Sequence, residues 1–171
     1  GQLTHEEYRE AVVGIFGLTQ RHLVERGKQA LIEDDGNVTF FEGVSETLQE
    51  LKMRGYLLGI VTDTANSISA KLRWFERGGF GHVWDSIISS MDVGTRKPDP
   101  KIYQAVLRQL GLSPAQAMFV GHKASELAGA REIGMPTVAF NYDPDASADY
   151  YIEKFSDLLN VPGIGVYEQP S

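Results

Sequence analysis

The sequence predicts an α/β fold in which a doubly wound parallel sheet is covered by helices on both faces. Three observations lead there. Short apolar runs of four or five residues, such as Leu57-Leu58-Gly59-Ile60-Val61 and Thr137-Val138-Ala139-Phe140, alternate with segments of helical periodicity. The runs lack the apolar/polar alternation of a half-solvated strand, so they suit strands buried on both faces. Glycine, proline and capping residues punctuate nearly every junction, which divides the chain into compact units.

Taken in order, Thr4-His5-Glu6-Glu7 has the spacing of a capping box and opens a helical region. Tyr8, Val12, Ile15, Phe16, Leu23 and Val24 recur at helical spacing, and Gly14 and Gly17 allow either one long helix or two shorter ones. The acidic run Glu33-Asp34-Asp35-Gly36-Asn37 marks a boundary. Beyond it, Val44, Leu48 and Leu51 define a helix over Val44–Met53 stopped at Gly55, followed by a buried strand over 57–61. Asn66 or Ser67 caps a helix that aligns Ile68, Leu72 and Phe75 and ends at Gly78-Gly79, and Ile87-Ile88 is a short strand. Asp99 caps the next helix, with Pro100 at its first position, Ile102, Val106, Leu107 and Leu110 inward, and Gly111 as the stop. A strand over 117–120, a helix over 127–133, a strand over 137–140, an edge strand over 150–152 and a closing helix over 155–159 complete the pattern.

With 171 residues the chain can bury one sizeable core. It holds 16 Lys and Arg against 23 Asp and Glu, a formal charge of −7, which is the wrong sign for a nucleic-acid surface. The absence of cysteine excludes disulfides, thiolate metal sites and a cysteine nucleophile. No apolar stretch reaches the roughly 18 residues a membrane helix needs, and no signal peptide is evident at the N-terminus, so a cytoplasmic location is expected.

Ligands of parallel sheets bind beyond the carboxyl ends of the strands, which directs attention to three loops. The first is Thr62-Asp63-Thr64, where Thr62 offers a hydroxyl at the end of a strand; taken alone, turn and cap bonding is the more ordinary role for it. The second is Thr95-Arg96-Lys97-Pro98-Asp99-Pro100, in which Pro98 and the following helix cap restrict Lys97 to a stiff segment. A positioned ammonium suits a phosphoryl group, and a solvated lysine is the alternative. The third is Val120-Gly121-His122-Lys123-Ala124-Ser125-Glu126, a strand, a glycine turn and a small-residue helix.

Three segments in order carry a resemblance: Gly43-Val44 through Gly55 to Thr62, Lys97-Pro98-Asp99-Pro100 with Tyr103, and Val120-Gly121 through Gly129-Ala130 to Gly134-Met135. Over residues 41–159 the chain resembles the haloacid dehalogenase (HAD) superfamily, in the branch of phosphoglycolate-phosphatase-like enzymes. The resemblance implies a HAD-like Rossmannoid core over 37–171 and a remnant of a helical cap over 1–36. It implies that Thr62 and Lys97 stabilise a transferring phosphoryl group, that Thr62, Asp63 and Lys97 bind substrate, and that Mg²⁺ assists. In the family an aspartate on the first strand attacks phosphorus, and a second aspartate acts as acid and base.

Two departures shape the functional expectation. No Asp-x-Asp strand precedes the helical region, and Glu33-Asp34-Asp35 lies too near the return to the core to replace it. The fourth motif has His122 where the family has its first carboxylate, with Glu126 as the second. A neutral imidazole in place of a carboxylate removes a charge and a hard ligand, so Mg²⁺ binding should be weak. A softer metal on His122 and Glu126 lacks an identified third ligand. The expectation is a phosphatase-type HAD domain that is catalytically incompetent in this form. The rivals are an active phosphomonoester hydrolase whose nucleophile segment lies elsewhere, and a regulatory or interaction module that kept the fold. The expected ligand is a small phosphorylated molecule, with neither nucleic acid nor membrane as partner. A strand from outside the chain, on a missing N-terminal segment or a partner chain, is expected to complete the sheet; the alternative is that the strands ending at Thr62 and Gly121 close up and pair directly.

Overall fold

A computed structural model describes residues 5–35, 37–63 and 67–164. Two helices, α1 (His5–Ile15) and α2 (Arg21–Asp35), form a hairpin, so the glycine-weakened region resolves into two helices. Gly17 turns the chain between them at φ +70, a left-handed conformation that glycine adopts without a Cβ clash. The helices approach closely at Gly27, where a Cβ would lie 3.0 Å from Val13 Cγ2. Lys28 is buried in this hairpin and donates to Glu6 at 2.7 Å and Glu10 at 3.2 Å. The hydrogen bond to Glu6 is the chief reason its ammonium lies above the usual lysine range. Thr4 of the expected capping box, Gly36, Thr64 and the alternative cap Asn66 lie outside the described residues.

The core alternates as the sequence indicates: α3 (Val44–Met53), β1 (Gly59–Thr62), α4 (Ile68–Arg77), β2 (Ser86–Ser89), α5 (Ser90–Val93), α6 (Pro100–Leu110), β3 (Phe119–Gly121), α7 (Ala124–Glu132), β4 (Thr137–Phe140) and β5 (Tyr150–Ile152). Two 3-10 helices, Pro114–Gln116 and Phe155–Asn160, complete it. Ser67 caps α4 by accepting from Ala70 N, and Asp99 caps α6 by accepting from Lys101 N. The first strand starts two residues later than the apolar run suggests, and the third is displaced to 119–121. The reason lies in pairing: the Leu58 carbonyl already accepts from Asp85 N and Ser86 N, so a loop bond precedes the ladder. The closing helix is 3-10, and α5 and the Pro114–Gln116 turn are additional.

All strand pairs are parallel, but the sheet is divided. Among the described residues β1 pairs with β2, and β3-β4-β5 form a separate group. Side-chain alternation shows that both groups lie in one layer. Val61, Ile88, Phe119 and Ala139 meet Tyr103 and Leu107 of α6 and Leu127 of α7 on one face. Leu58, Val120, Val138, Phe140 and Ile152 meet Leu51 of α3 and Leu158 on the other. Helix α6 seats directly on β1, since a Cβ on Gly59 would come 2.8 Å from Val106 Cγ2. Its Tyr103 ring reaches the other half-sheet, edge-on to Phe119 at 5.3 Å.

The facing edges follow from register. Leu58, Ile60 and Thr62 direct their backbone groups to β2, which leaves those of Gly59 and Val61 on the opposite edge. Phe119 N donates to Pro136 O, so Phe119 and Gly121 face β4 and Val120 faces away.

Carboxylates fasten several junctions. Asp85 accepts from Leu58 N at 2.7 Å and from Lys52 Nζ at 2.7 Å. Burial raises its carboxyl, but the Lys52 hydrogen bond, the Leu58 N–H and the Lys52 charge outweigh that and hold it below the usual carboxylate range. Asp149 is lowered by its bonds from the Thr137 hydroxyl and N–H, and Asp99 by the Lys101 N–H and Thr95. Carboxyls depressed on folding contribute stability that is present above the unfolded value, near pH ~4, and is lost as pH falls through the folded values. The urea midpoint should therefore drop as pH is lowered from about 5 to about 2.5, and Asp85→Asn should lower it at neutral pH and flatten the acid decline. An unchanged decline in Asp85→Asn would assign it to other groups.

Candidate functional site

The carboxyl ends of the strands bring the three loops together around Lys97. Asp99 caps α6 and Asp99 N bonds Arg96 O, which fixes the segment between β2 and α6. Gly129 of α7 packs against it so closely that a Cβ there would lie 2.5 Å from Pro98 O. The Lys97 N–H donates to Asp63 Oδ1 at 3.1 Å, which ties this segment to the loop after β1. The solvated-lysine alternative is thereby corrected: the Lys97 side chain is 11% exposed, and its ammonium points inward.

That ammonium spans the two half-sheets. It donates to Val61 O at 3.3 Å, a carbonyl on the edge of β1 that β2 does not use. It also lies 3.3 Å from Glu126 Oε2 in the first turn of α7, the helix that follows β3. Glu126 is buried, its side chain 6% exposed, and Lys123 Nζ stands 4.0 Å from its other oxygen. Tyr103 Oη donates to the Glu126 carbonyl at 2.8 Å, so α6 anchors the start of α7. Burial pushes the Tyr103 hydroxyl up, helped by the charges of Glu126 and Asp63.

Thr62 ends β1 next to Val61 and is half-buried. Asp63 is exposed and engaged through one oxygen by Lys97 N. His122 is exposed; its carbonyl accepts from Asp143 N, which places the loop after β4 beside it. Thr62, Asp63, Lys97 and Glu126 are thus neighbours, and His122 lies at the rim.

The described side chains do not fit a magnesium ion. Mg²⁺ favours several oxygen ligands in near-octahedral array. Glu126 is neutralised by Lys97 and Lys123, and His122 offers one nitrogen. No group of three potential metal ligands occurs among the described residues.

The sequence reading passed over Lys71, in the first turn of α4. Its ammonium lies 5.4 Å from the Trp74 ring, and it sits below the usual lysine range, chiefly through burial and then through the Lys97 charge. Nothing in the local sequence marks it, because its burial against Trp74 and the influence of the Lys97 charge arise from chain folding. A shallow depression of about 400 Å³, lined by Arg131, Met135, Pro136, Asp149 and Tyr150, lies at the opposite end of the strands.

Comparison with known proteins bears on the family and the fold. The family model described as "Haloacid dehalogenase-like hydrolase" matches residues 4–140. Pyrophosphatase PpaX of Bacillus velezensis is 37% identical over 145 residues, covering 76% of this chain and 62% of that protein. Glyceraldehyde 3-phosphate phosphatase of Methanothermobacter thermautotrophicus is 32% identical, covering 67% of this chain and 50% of its own. The chain therefore spans about half to three fifths of these relatives. The HAD-hydrolase YfnB of Bacillus subtilis, solved bound to magnesium, shares the fold at a TM-score of 0.73 and 20% identity, over 96% of this chain and 74% of that one.

Breaking a buried pair by removing one partner leaves an uncompensated charge, which costs several kcal/mol. Lys97→Met should destabilise the chain by about 3 kcal/mol in urea unfolding, and adding Glu126→Gln should recover most of that loss. Additive losses in the double variant would mean that the two groups do not interact.

Proposed function

Because the chain belongs to the haloacid dehalogenase-like hydrolase family, we propose that it supplies the phosphate-binding half of a phosphatase-type hydrolase site and does not turn over phosphomonoesters by itself. The observation that carries this reading is the inward Lys97 ammonium, held between Val61 O and Glu126 at the carboxyl end of β1. Its third proton and the Thr62 hydroxyl donate to a phosphoryl group, while Asp63 positions the lysine segment through Lys97 N. Residues 1–36 act as a helical cap and 37–171 as the core. The relatives named for pyrophosphate and for a phosphorylated triose support a small phosphorylated ligand.

Transfer of a phosphoryl group to the protein needs a carboxylate free to attack. Asp63 and Glu126, the described carboxylates that Lys97 contacts, are both engaged by it. The edges of β1 and β3 that no described strand uses favour a further strand between them, carried by a segment outside the described residues or by another chain. Unpaired backbone groups in such a setting cost about 1–3 kcal/mol each, which gives the added strand its driving force. On this reading the attacking carboxylate belongs to that strand.

The 171-residue chain should give no hydrolysis of p-nitrophenyl phosphate above the blank, with or without Mg²⁺. A rate that disappears in Lys97→Ala would contradict this. Inorganic phosphate, titrated by NMR, should bind weakly, with affinity falling as salt is raised. The double variant Thr62→Val, Lys97→Ala should bind about tenfold or more weakly, since two donors to an anion are lost. Equal affinity in the double variant would remove Thr62 and Lys97 from the site.

A further inference from the structure

The amino ends of the strands, away from Lys97, carry a second built feature. The depression of about 400 Å³ there is bounded by Arg131 in the last turn of α7, by Gly134, Met135 and Pro136 ahead of β4, and by Asp149 and Tyr150 where β5 begins. Its volume lies at the small end of ligand sites, roughly 300–1,000 Å³, so a small molecule suits it. Met135 is buried and Pro136 and Tyr150 are half-buried, which makes an apolar floor. Arg131 and Asp149 are exposed and bring opposite charges to its walls.

The two charges do not pair with each other. Arg131 Nη1 donates to Ser147 Oγ at 3.0 Å, and Asp149 Oδ2 accepts from the Thr137 N–H at 2.8 Å and the Thr137 hydroxyl at 2.7 Å. Asp149 Oδ1 accepts from no described donor, and the guanidinium keeps most of its N–H donors. The bonds from Thr137 hold the Asp149 carboxyl below the usual range, so it is anionic at neutral pH.

The loop that carries these groups is braced. Tyr151 Oη accepts from Ala148 N at 3.0 Å and donates to Ala146 O at 3.3 Å, and Asp149 N donates to Thr137 Oγ1 at 3.1 Å. Thr137 is fully buried, so the carboxylate is anchored to the interior. Groups set in place in this way lose little freedom when a ligand arrives. A lone anion would face Asp149, a lone cation would face Arg131, and an apolar molecule would use neither charge. A carboxylate for Arg131, an ammonium for Asp149 and an apolar body for the floor satisfy all three together.

We propose that this depression is a binding site for a free α-amino acid with an apolar side chain. Its carboxylate meets Arg131, its ammonium meets Asp149 Oδ1, and its side chain lies on Met135, Pro136 and Tyr150. The site does not depend on the phosphate reading of Thr62 and Lys97. Because the depression is shallow and both charges are exposed, binding is weak and falls as salt is raised.

The test is an NMR titration of the intact chain with L-leucine and with three compounds that each lack one part of it: 4-methylpentanoate without the ammonium, isoamylamine without the carboxylate, and glycine without the apolar side chain. L-Leucine should shift the resonances of Met135, Asp149 and Tyr150 saturably, with Kd in the millimolar range, and each of the three should bind about tenfold or more weakly. Arg131→Gln, and Asp149→Asn, which keeps an oxygen for Thr137, should each weaken L-leucine about tenfold and leave the phosphate titration unchanged. Ser147→Ala, which removes a brace and neither charge, should change it less than about threefold. Affinity for 4-methylpentanoate or isoamylamine equal to that for L-leucine would reduce the site to one charge, and equal affinity for glycine would remove the apolar floor; either result overturns the proposal. Absence of saturable shifts at these residues, or L-leucine binding unchanged in Arg131→Gln, would also overturn it.

Discussion

The largely enclosed ammonium of Lys97 links the two halves of this architecture. Lys97 sits where the backbone ladder is interrupted, and it links a carbonyl on the edge of β1 to a carboxylate on the helix after β3. The surrounding structure serves to keep it there. Asp99 and Pro100 start α6, Asp63 receives the lysine N–H, Gly129 admits the Pro98 backbone, and Tyr103 fixes the start of α7. Desolvating a lysine and a glutamate is expensive, and the pair persists because each charge meets the other and a further polar group.

The same pair governs what the site offers a ligand. An ammonium with its carbon stem packed and two of its protons directed has little conformational freedom left to lose when an anion arrives. The carboxylate that a magnesium ion would need is committed to lysines, and the neighbouring position carries an imidazole. On the proposed reading, recognition by the described residues is a matter of ammonium and hydroxyl donors. Membership in the haloacid dehalogenase-like family accounts for the alternation of helices and parallel strands along the chain.

Much of this was legible from residues alone because it is local. Asp99-Pro100 and Gly111 delimit α6 as expected, Ser67 caps α4, and the apolar runs mark five parallel strands. Strand limits slipped by one or two residues, since pairing partners and not hydrophobicity decide where a ladder begins, as the Leu58 bonds to Asp85 and Ser86 show. The four-residue α5 depends on a Ser89 and Asp92 capping box too short to register as periodicity. The pairing of Lys97 with Glu126 and the low exposure of both side chains are products of contacts between distant segments, and no spacing in the chain encodes them. The break in the sheet was legible only in part, through the strand that the family pattern requires and this sequence lacks.

The central claim is that β1 and β3 are joined through Lys97 and not through a shared ladder, and amide hydrogen exchange on the isolated chain addresses it directly. Ile60 and Thr62, which bond β2, and Gly121, which bonds β4, should be protected, while Val61 and Val120 on the facing edges should exchange much faster. Protection of Val61 and Val120 equal to that of Ile60 and Gly121 would show the two strands paired and would contradict the account.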